Sequence, residues 1–259
     1  MATFLFDDII FGPVKSRRFG VSLGVNLLPE SYKFCTFNCV YCECGWTYKN
    51  NAEKVKLPTR EEIRDNLEIK LQQMAEEGVA PDNITFAGNG EPTVHPRFSK
   101  IIEDTIALRN FYFPDAEITV LSNSSMLHKK WVFDALSKVD NNVLKLDTAI
   151  EETFGLINIP TKGLSLKIII EEIKKFNGDQ IIQTLFIKGE HNGISFDNTS
   201  PEELNALLKV LKEIGPRYVM VYSIERDTAL NSLEKISESK LRSIAKMINE
   251  HGIEAVVYS

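Results

Sequence analysis

The sequence predicts an α/β fold in which strands and helices alternate about six times along the chain. Short apolar segments of strand length are separated by segments with helical periodicity, and no internal repeat or linker-like tract interrupts them. Alternation of this kind requires parallel strands joined by right-handed helical crossovers. It gives either a barrel or a flat, doubly wound sheet, and periodicity alone does not choose between them.

The composition is typical of a globular protein with one sizeable domain. Its 259 residues are 43% apolar and 25% charged, and the formal net charge is −6. This acidic balance argues against generic, charge-driven nucleic-acid binding, which relies on basic patches. No apolar run approaches the roughly twenty residues that span a bilayer, and the grouped cysteines fit a reducing interior better than a disulfide framework. We therefore expect a cytoplasmic protein without a membrane segment.

The predicted strands are short apolar runs bounded by proline, glycine or polar residues. The first is the core of Val21–Leu28, which Pro29 closes. The others are Asn83–Ala87, Glu117–Leu121, Asn142–Leu146, Gln180–Ile187 and Tyr218–Tyr222, with Glu254–Tyr258 as a terminal strand. Active sites of parallel α/β proteins form at the carboxyl ends of the strands. Residues that directly follow these runs are therefore candidates for chemistry.

Capping signals place the predicted helices between these strands. Thr59 and Glu62 form a capping box at the start of the first helix. Apolar residues recur at helical spacing from Ile63, and Gly78 ends this helix. Ser200, followed by a proline and a glutamate, marks another clear start. The remaining assignments are helices at His95–Arg109, Trp131–Ser137, Leu164–Phe176, Ser200–Ile214 and Glu238–Glu250, and an irregular or partly helical segment at Glu151–Gly163.

Nearly all the sulfur of the chain lies in one loop after the first strand. Cys35, Cys39 and Cys42 are separated by three and then two residues, and Cys44 is the only other cysteine. Cysteine-only ligation selects zinc or an iron–sulfur cluster. A structural zinc site needs a fourth ligand, but only Glu43 separates Cys44 from Cys42, which makes joint ligation of one ion awkward. A cluster on three cysteines would leave one iron open, as catalysis requires. The spacing by itself leaves zinc, a cluster and reduced buried thiols as alternatives.

Two motifs together resemble those of the radical S-adenosylmethionine (SAM) enzymes. One is the C-x3-C-x2-C spacing with an aromatic residue, Tyr41, before its last cysteine, and the other is Gly88-Asn89-Gly90-Glu91-Pro92. A narrower resemblance, to an uncharacterised Fe–S oxidoreductase branch related to the tRNA wybutosine-synthesis enzymes, covers most of the chain. It rests on segments 11–13, 16–18, 22–26 and 88–95. The resemblance implies a partial (β/α)6 barrel of the radical SAM type, with residues 1–259 as a single domain. The cluster loop, 35–42, would follow the first strand, and 238–259 would form a closing helix and strand.

The resemblance also implies the cofactors and the residues that hold them. A [4Fe–4S] cluster on Cys35, Cys39 and Cys42 would bind SAM at its open iron. Reductive cleavage of SAM would give a 5′-deoxyadenosyl radical that abstracts hydrogen from a substrate. The expected SAM-binding residues are Tyr41 near the adenine, Gly88, Asn89, Gly90 and Glu91 near the methionyl group, Asn123 at the end of the third strand, and Asp147 near the ribose. The substrate-contact candidates are Arg17, Arg18, Lys188, Glu225 and Arg226, and no residue is assigned a catalytic role of its own.

The electron donor and the substrate stay open in the sequence. The resemblance implies an external one-electron reductant of the flavodoxin or ferredoxin type. Protein, peptide and RNA are candidate substrate classes, as for a glycyl-radical-enzyme activase or a tRNA-modifying enzyme. A non-catalytic Fe–S electron-transfer protein or a zinc-stabilised binding module is the alternative from another class. Neither of these needs the SAM pocket that the Gly88–Glu91 motif indicates.

Overall fold

The computed structural model describes residues 4–47 and 56–259. The strands are β1 (Ile10–Ser16), β2 (Gly20–Val25), β3 (Asn83–Phe86), β4 (Glu117–Ser122), β5 (Asn141–Lys145), β6 (Ile181–Leu185), β7 (Ile187–His191), β8 (Ile194–Asp197), β9 (Val219–Tyr222), β10 (Glu234–Lys235) and β11 (Ala255–Tyr258). The helices are α1 (Arg60–Glu76), α2 (Phe98–Tyr112), α3 (Lys130–Leu136), α4 (Glu151–Ile157), α5 (Leu166–Lys174), α6 (Pro201–Ile214) and α7 (Glu238–Glu250).

Eight strands form one curled sheet in the order β1-β2-β3-β4-β5-β6-β9-β11. From β2 to β11 in this order, neighbouring strands pair parallel. β1 pairs with β2 antiparallel. Because β1 and β11 are the two edges of the curled sheet, the architecture is a partial barrel. The predicted fold class is confirmed.

The sheet begins one strand earlier than the sequence predicts. β1 contains Gly12-Pro13, which interrupts a strand pattern, and its pairing with β2 shifts register between Phe11 and Val14. Proline is tolerated there because β1 is an edge strand, where a backbone N–H that faces solvent is not needed for pairing. The predicted first strand, the core of Val21–Leu28, corresponds to β2, which ends at Val25.

The predicted fifth strand, Gln180–Ile187, is divided between two sheets. Its first part is β6, and Ile187 begins β7, which belongs to a second sheet in the order β10-β7-β8. The turn between β7 and β8 is Asn192-Gly193, and both residues have positive φ, 53° and 78°. An Asn-Gly pair is a strong signal for a two-residue hairpin turn. The sequence therefore carried this information, but the flanking strands are too short to show a convincing alternation.

Helices cover the outer face of the sheet, and side chains of alternate strand residues fill its inner face. α1 begins at the predicted capping box and buries Ile63, Leu67, Leu71 and Met74. On the inner face, which we call the lumen, an apolar cluster contains Val143, Ile181 and Met220, with Phe19, Leu121, Tyr218 and Tyr258 packed against it. Among the described residues, no helix combines the length and apolar character needed to cross a membrane.

A buried histidine connects the segment before α1 to the turn before α2. His95 is 2% exposed. Its Nδ1 accepts a hydrogen bond from the backbone N–H of Arg97 at 3.1 Å, so Nε2 donates to the carbonyl of Pro58 at 2.9 Å. Burial lowers the pKa of His95, and the neutral ring satisfies both partners. The predicted helix His95–Arg109 begins later, at Phe98, because His95 belongs to this turn.

Candidate active site

The cysteine loop lies at the carboxyl edge of the curled sheet, directly after β2. All four cysteines are free thiols and line one cavity of about 210 Å³. The remaining lining residues are Lys33, Phe37, Tyr41, Ala87, Gly88, Gly90, Glu91, Leu121, Ser122, Asn123, Lys145 and Gln183. The cysteine motif and the glycine motif, which are separated by α1 in the sequence, therefore meet around a single space.

Amide and backbone donors surround two of the three predicted cluster ligands. Asn123 Nδ2 lies 3.4 Å from Cys35 Sγ, which also accepts a hydrogen bond from the backbone N–H of Phe37 at 3.4 Å. Asn158 Nδ2 lies 3.5 Å from Cys39 Sγ. Donors of this kind stabilise thiolates and tune iron–sulfur clusters. The two amides come from the loops after β4 and α4. Separate parts of the barrel therefore contact the sulfur atoms of the cysteine loop.

Lys33 supplies a positive charge at the third sulfur. Lys33 is 2% exposed, donates to the carbonyl of Gly45 at 3.1 Å and lines the same cavity as the cysteines. Burial lowers the pKa of Lys33, but the sulfurs of Cys42, Cys39 and Cys35 raise it more, and the net pKa lies above the ordinary value. The ammonium therefore compensates negative charge on the thiolates inside the protein.

The surroundings shift the pKa values of the four thiols in different directions. Burial raises the pKa of Cys35 to about 12 and also raises that of Cys39. A hydrogen bond from Cys44 lowers the pKa of Cys42 despite its burial, and the same bond raises the pKa of Cys44. Two thiols with raised pKa values need a bound cation before they become thiolates, because a metal deprotonates the thiols it binds.

The donor set has the chemistry of iron–sulfur cluster ligands. Within the described ranges, no group of three Cys, His, Asp or Glu side chains is arranged to hold one metal ion. A cluster is wider than one ion, so its ligands can line a cavity without converging on a point. Three thiols around one space, with nitrogen donors behind them, match ligands that separate irons would need.

The glycine turn brings the end of β3 into contact with the cysteine loop. A Cβ on Gly90 would lie 1.9 Å from the carbonyl oxygen of Phe34, and the φ of Gly90 is 144°, which favours glycine. The backbone N–H of Phe34 donates to Asn89 O at 2.8 Å, and that of Glu91 donates to Phe34 O at 3.3 Å. The glycine at this position therefore has a packing role as well as leaving room beside the cavity.

The polar side chains of the glycine turn, Asn89 and Glu91, form hydrogen bonds within the protein. Glu91 is 1% exposed and accepts hydrogen bonds from Ser122 Oγ at 2.9 Å and from the backbone N–H of Asn123. It thereby ties the end of β3 to the end of β4. Asn89 exchanges hydrogen bonds with the backbone of Phe6 at 2.9 and 2.8 Å and does not line the cavity. The turn therefore offers the cavity its backbone rather than the amide of Asn89.

Asp147 lies behind Tyr41 and Lys145, which form the wall of the cavity opposite the glycine turn. The hydroxyl of Tyr41 donates to Asp147 Oδ2 and accepts from Lys145 Nζ. Asn158 donates to the same Oδ2 at 2.7 Å, and the backbone N–H of Leu185 donates to Oδ1 at 3.0 Å. Burial lowers the pKa of Lys145, but the charges of Asp147, Tyr222 and the nearby cysteines together raise it more, and the net shift is upward. Tyr41 and Lys145 line the cavity and Asp147 does not, so its predicted ribose contact stays a prediction.

The five predicted substrate residues separate into two groups. Four of them form partly exposed ion pairs and do not line the cysteine cavity. These pairs are Arg17–Glu225 (3.8 Å), Lys188–Asp197 (3.1 Å), Arg226–Glu43 (2.8 Å) and Glu225–Lys235 (2.5 Å). Arg18 instead turns into the lumen, where its Nη1 lies 3.5 Å from Gln183 Oε1.

Sequence reasoning missed Lys33 and Asn158. A lysine two positions before the first cysteine was a usable signal for Lys33, because a cation beside thiolates is chemically informative. Asn158 had no local signal, since it follows a short helix and reaches a sulfur 119 positions away. Only the folded chain brings that pair together.

A family model matches more than half of the chain. The model describes the radical SAM superfamily and covers residues 30–177. This range contains the cysteine loop, the glycine turn and the elements from α1 to α5. The match therefore includes every residue predicted to bind the cluster or SAM.

Related sequences include UPF0026 proteins. That of Methanocaldococcus jannaschii is 32% identical over 212 residues, which cover 80% of this chain and 61% of that protein. That of Helicobacter pylori is 31% identical over 240 residues, which cover 90% of this chain and 71% of that protein. A protein named GTPase Obg in Brachyspira hyodysenteriae is 27% identical over 241 residues, which cover 92% of this chain. The chain spans 33% of the Brachyspira protein and 61% of the Methanocaldococcus protein.

Solved structures share the fold at low sequence identity. A radical SAM methyltransferase from Sphaerobacter thermophilus has a TM-score of 0.68 at 15% identity, over 92% of this chain and 65% of that chain. TYW1 with a lysine–pyruvate adduct bound has a TM-score of 0.61 at 15% identity, over 88% and 73%. Streptococcus suis SuiB bound to SAM has a TM-score of 0.62 at 17% identity, over 91% and 50%. These likenesses concern the fold.

Proposed function

Because the chain belongs to the radical SAM superfamily, as its two motifs predict, we propose that it cleaves SAM reductively with a [4Fe–4S] cluster on Cys35, Cys39 and Cys42. When bound, the cluster supplies the electron that breaks the sulfonium–C5′ bond, and the resulting 5′-deoxyadenosyl radical takes hydrogen from a substrate. The observation that carries this proposal is the meeting of three thiols and the Gly88–Glu91 turn around one cavity. That cavity lies at the edge of a parallel sheet where active sites form.

The protein's own contribution to the cluster is charge compensation and orientation. Lys33 places an ammonium beside the cavity that the three sulfurs line. Asn123 and Asn158 direct amide N–H groups toward the other two sulfurs. Hydrogen bonds and positive charge at the sulfurs favour the reduced, more negative form of an iron–sulfur cluster. These three residues therefore make it easier for an electron donor to reduce the cluster.

The walls of the cavity offer matching groups for SAM. Its methionyl end carries an ammonium and a carboxylate, and carbonyl oxygens at the end of a strand accept hydrogen bonds from an ammonium. Gly88 lines the cavity, and its carbonyl oxygen accepts a hydrogen bond from Cys44 Sγ at 3.7 Å. On the other wall, Tyr41 presents an aromatic ring and Lys145 an ammonium held 4.7 Å from that ring centre. We expect Asp147 to act through Tyr41 and Lys145, because both of its oxygens already accept hydrogen bonds.

The electron is expected from an external donor of the flavodoxin or ferredoxin type. The cysteine loop is partly exposed at Cys35, Cys42 and Cys44. A cluster there would lie near the surface, within reach of a docked protein. The net charge of −6 leaves small molecules and proteins as more natural substrates than a long nucleic acid.

The proposal is tested by anaerobic reconstitution with iron and sulfide, followed by SAM and a strong reductant. Chromatography should detect 5′-deoxyadenosine only when the reductant is present. Cys39→Ala should abolish both the cluster absorbance and this product. Cys44→Ala is the matched control on the same loop, and it should retain the cluster. If a full cluster forms but SAM neither perturbs its EPR spectrum nor is cleaved, the chain is an electron-transfer protein and the proposal fails.

A further inference from the structure

Arg18 crosses the lumen of the partial barrel. It lies in the turn between β1 and β2, yet its guanidinium reaches Gln183 on β6 at 3.5 Å. It also lies 5.2 Å from the ring centre of Tyr222, at the end of β9, and 5.9 Å from that of Phe19. The side chain therefore spans the inner face between strands that are not neighbours in the sheet.

The guanidinium of Arg18 has little to bind within the protein. Among the described residues it has no acidic partner at ion-pair distance, whereas Lys145 lies 3.6 Å from Asp147. The acceptor that Arg18 does contact, Gln183 Oε1, is at 3.5 Å, and charge-assisted hydrogen bonds are usually about 2.7–2.9 Å long. Arginine carries five donors in a planar fork. Most of these donors therefore have no acceptor among the described residues, although the side chain is partly buried.

Arg18 lies between two cavities. It lines a space of about 900 Å³ at the amino-terminal ends of the strands, and its partner Gln183 lines the cysteine cavity. This larger cavity is also lined by Asp82, Asp115, Glu117 and Arg217. Asp82 accepts from the N–H of Val21 at 2.7 Å, and Glu117 accepts from Asn141 at 2.7 Å. The volume lies within the roughly 300–1,000 Å³ of small-molecule sites.

We propose that Arg18 binds an anionic group, a carboxylate or a phosphate, of a small substrate held in the lumen. The guanidinium fork matches either group with two parallel hydrogen bonds. Held there, the rest of the substrate extends toward the cysteine cavity on the Gln183 side. This inference rests on the proposed function and distinguishes Arg18 from the other predicted substrate residues, whose charges are already paired.

Anion binding to the reconstituted 259-residue chain tests the role of Arg18. Inorganic phosphate and malonate are titrated separately by calorimetry at constant ionic strength. Arg18→Gln should weaken the binding of the preferred anion about tenfold or more, as expected for loss of a bidentate charged contact. Arg17→Gln is the matched control, because Arg17 is adjacent in the turn but pairs with Glu225, and it should bind like the wild type. Arg18→Lys keeps the charge without the fork and should give an intermediate affinity.

The relative affinities identify the anionic group. Tighter binding of phosphate indicates a phosphorylated substrate, and tighter binding of malonate indicates a carboxylic acid. If neither anion binds the wild type, or if Arg18→Gln binds as well as Arg17→Gln, the inference is wrong. Cluster content and 5′-deoxyadenosine are measured on the same wild-type sample. Their loss would overturn the proposed function, whereas Arg18-independent binding would overturn this inference alone.

Discussion

Replacing Gly90 by alanine tests whether contact between the glycine turn and the cysteine loop builds the site. The added Cβ would lie 1.9 Å from the carbonyl oxygen of Phe34 and 2.6 Å from its carbonyl carbon. Both neighbours are backbone atoms, so no side-chain rotation can relieve the overlap. The turn and the loop must move apart.

The cost of this movement follows from the contacts that it breaks. Separation removes the hydrogen bonds from Phe34 N to Asn89 O and from Glu91 N to Phe34 O, each contributing about 1 kcal/mol. Holding alanine at the φ of Gly90 adds about 1–3 kcal/mol of backbone strain. We therefore expect Gly90→Ala to lower the free energy of unfolding by about 3–5 kcal/mol.

A matched control separates the clash from backbone strain. Gly78 also has a positive φ, 69°, but a Cβ there would meet nothing within 4 Å. Gly78→Ala should therefore cost only about 1–2 kcal/mol. Urea denaturation of the cluster-free protein measures both values, and iron per chain after reconstitution should fall for Gly90→Ala alone. Equal destabilisation of the two variants, with full iron in both, would refute the reasoning.

Three further predictions concern buried polar groups. Asn158→Leu removes a hydrogen-bond donor from Asp147 and should lower the free energy of unfolding by about 2–3 kcal/mol, as measured by urea denaturation. An unchanged midpoint of urea denaturation would contradict the role of this amide. His95 has a pKa that burial lowers in the folded protein, so its stabilisation is complete above the unfolded pKa of about 6.5 and declines as pH falls below it. Urea midpoints measured from pH 8 to pH 5 should show this decline in the wild type and in His251→Gln, and His95→Gln should lose that component. Lys33→Met should lower the ratio of reduced to oxidised cluster at a given applied potential about tenfold or more, because a buried positive charge is removed. An EPR-monitored redox titration of both proteins measures this ratio. Overlapping curves would exclude the proposed charge compensation.

Local signals were sufficient for most of the secondary structure. The capping box at Thr59 depends on residues within one turn, and the structure has it as predicted. The Gly12-Pro13 pair hid β1 because edge-strand status, which makes a proline tolerable, is a property of the whole sheet. The Asn192-Gly193 turn shows the opposite case, in which a local signal was present but its strands were too short to recognise.

Local sequence was enough to identify the grouping of three cysteines in one loop and the alternation of strands and helices. Both depend on spacing over a few residues: the three cysteines lie in one loop, and apolar periodicity follows helix and strand geometry. Only the tertiary structure decided that Lys33, Asn123 and Asn158 surround the sulfurs and that Asp147 lies behind Tyr41. It also decided that Arg18 enters the lumen while Arg17 stays at the surface. Adjacent residues in a turn point in different directions, and contacts over a hundred positions apart, such as Asn158 with Cys39, arise only when separate strands align and the sheet curls.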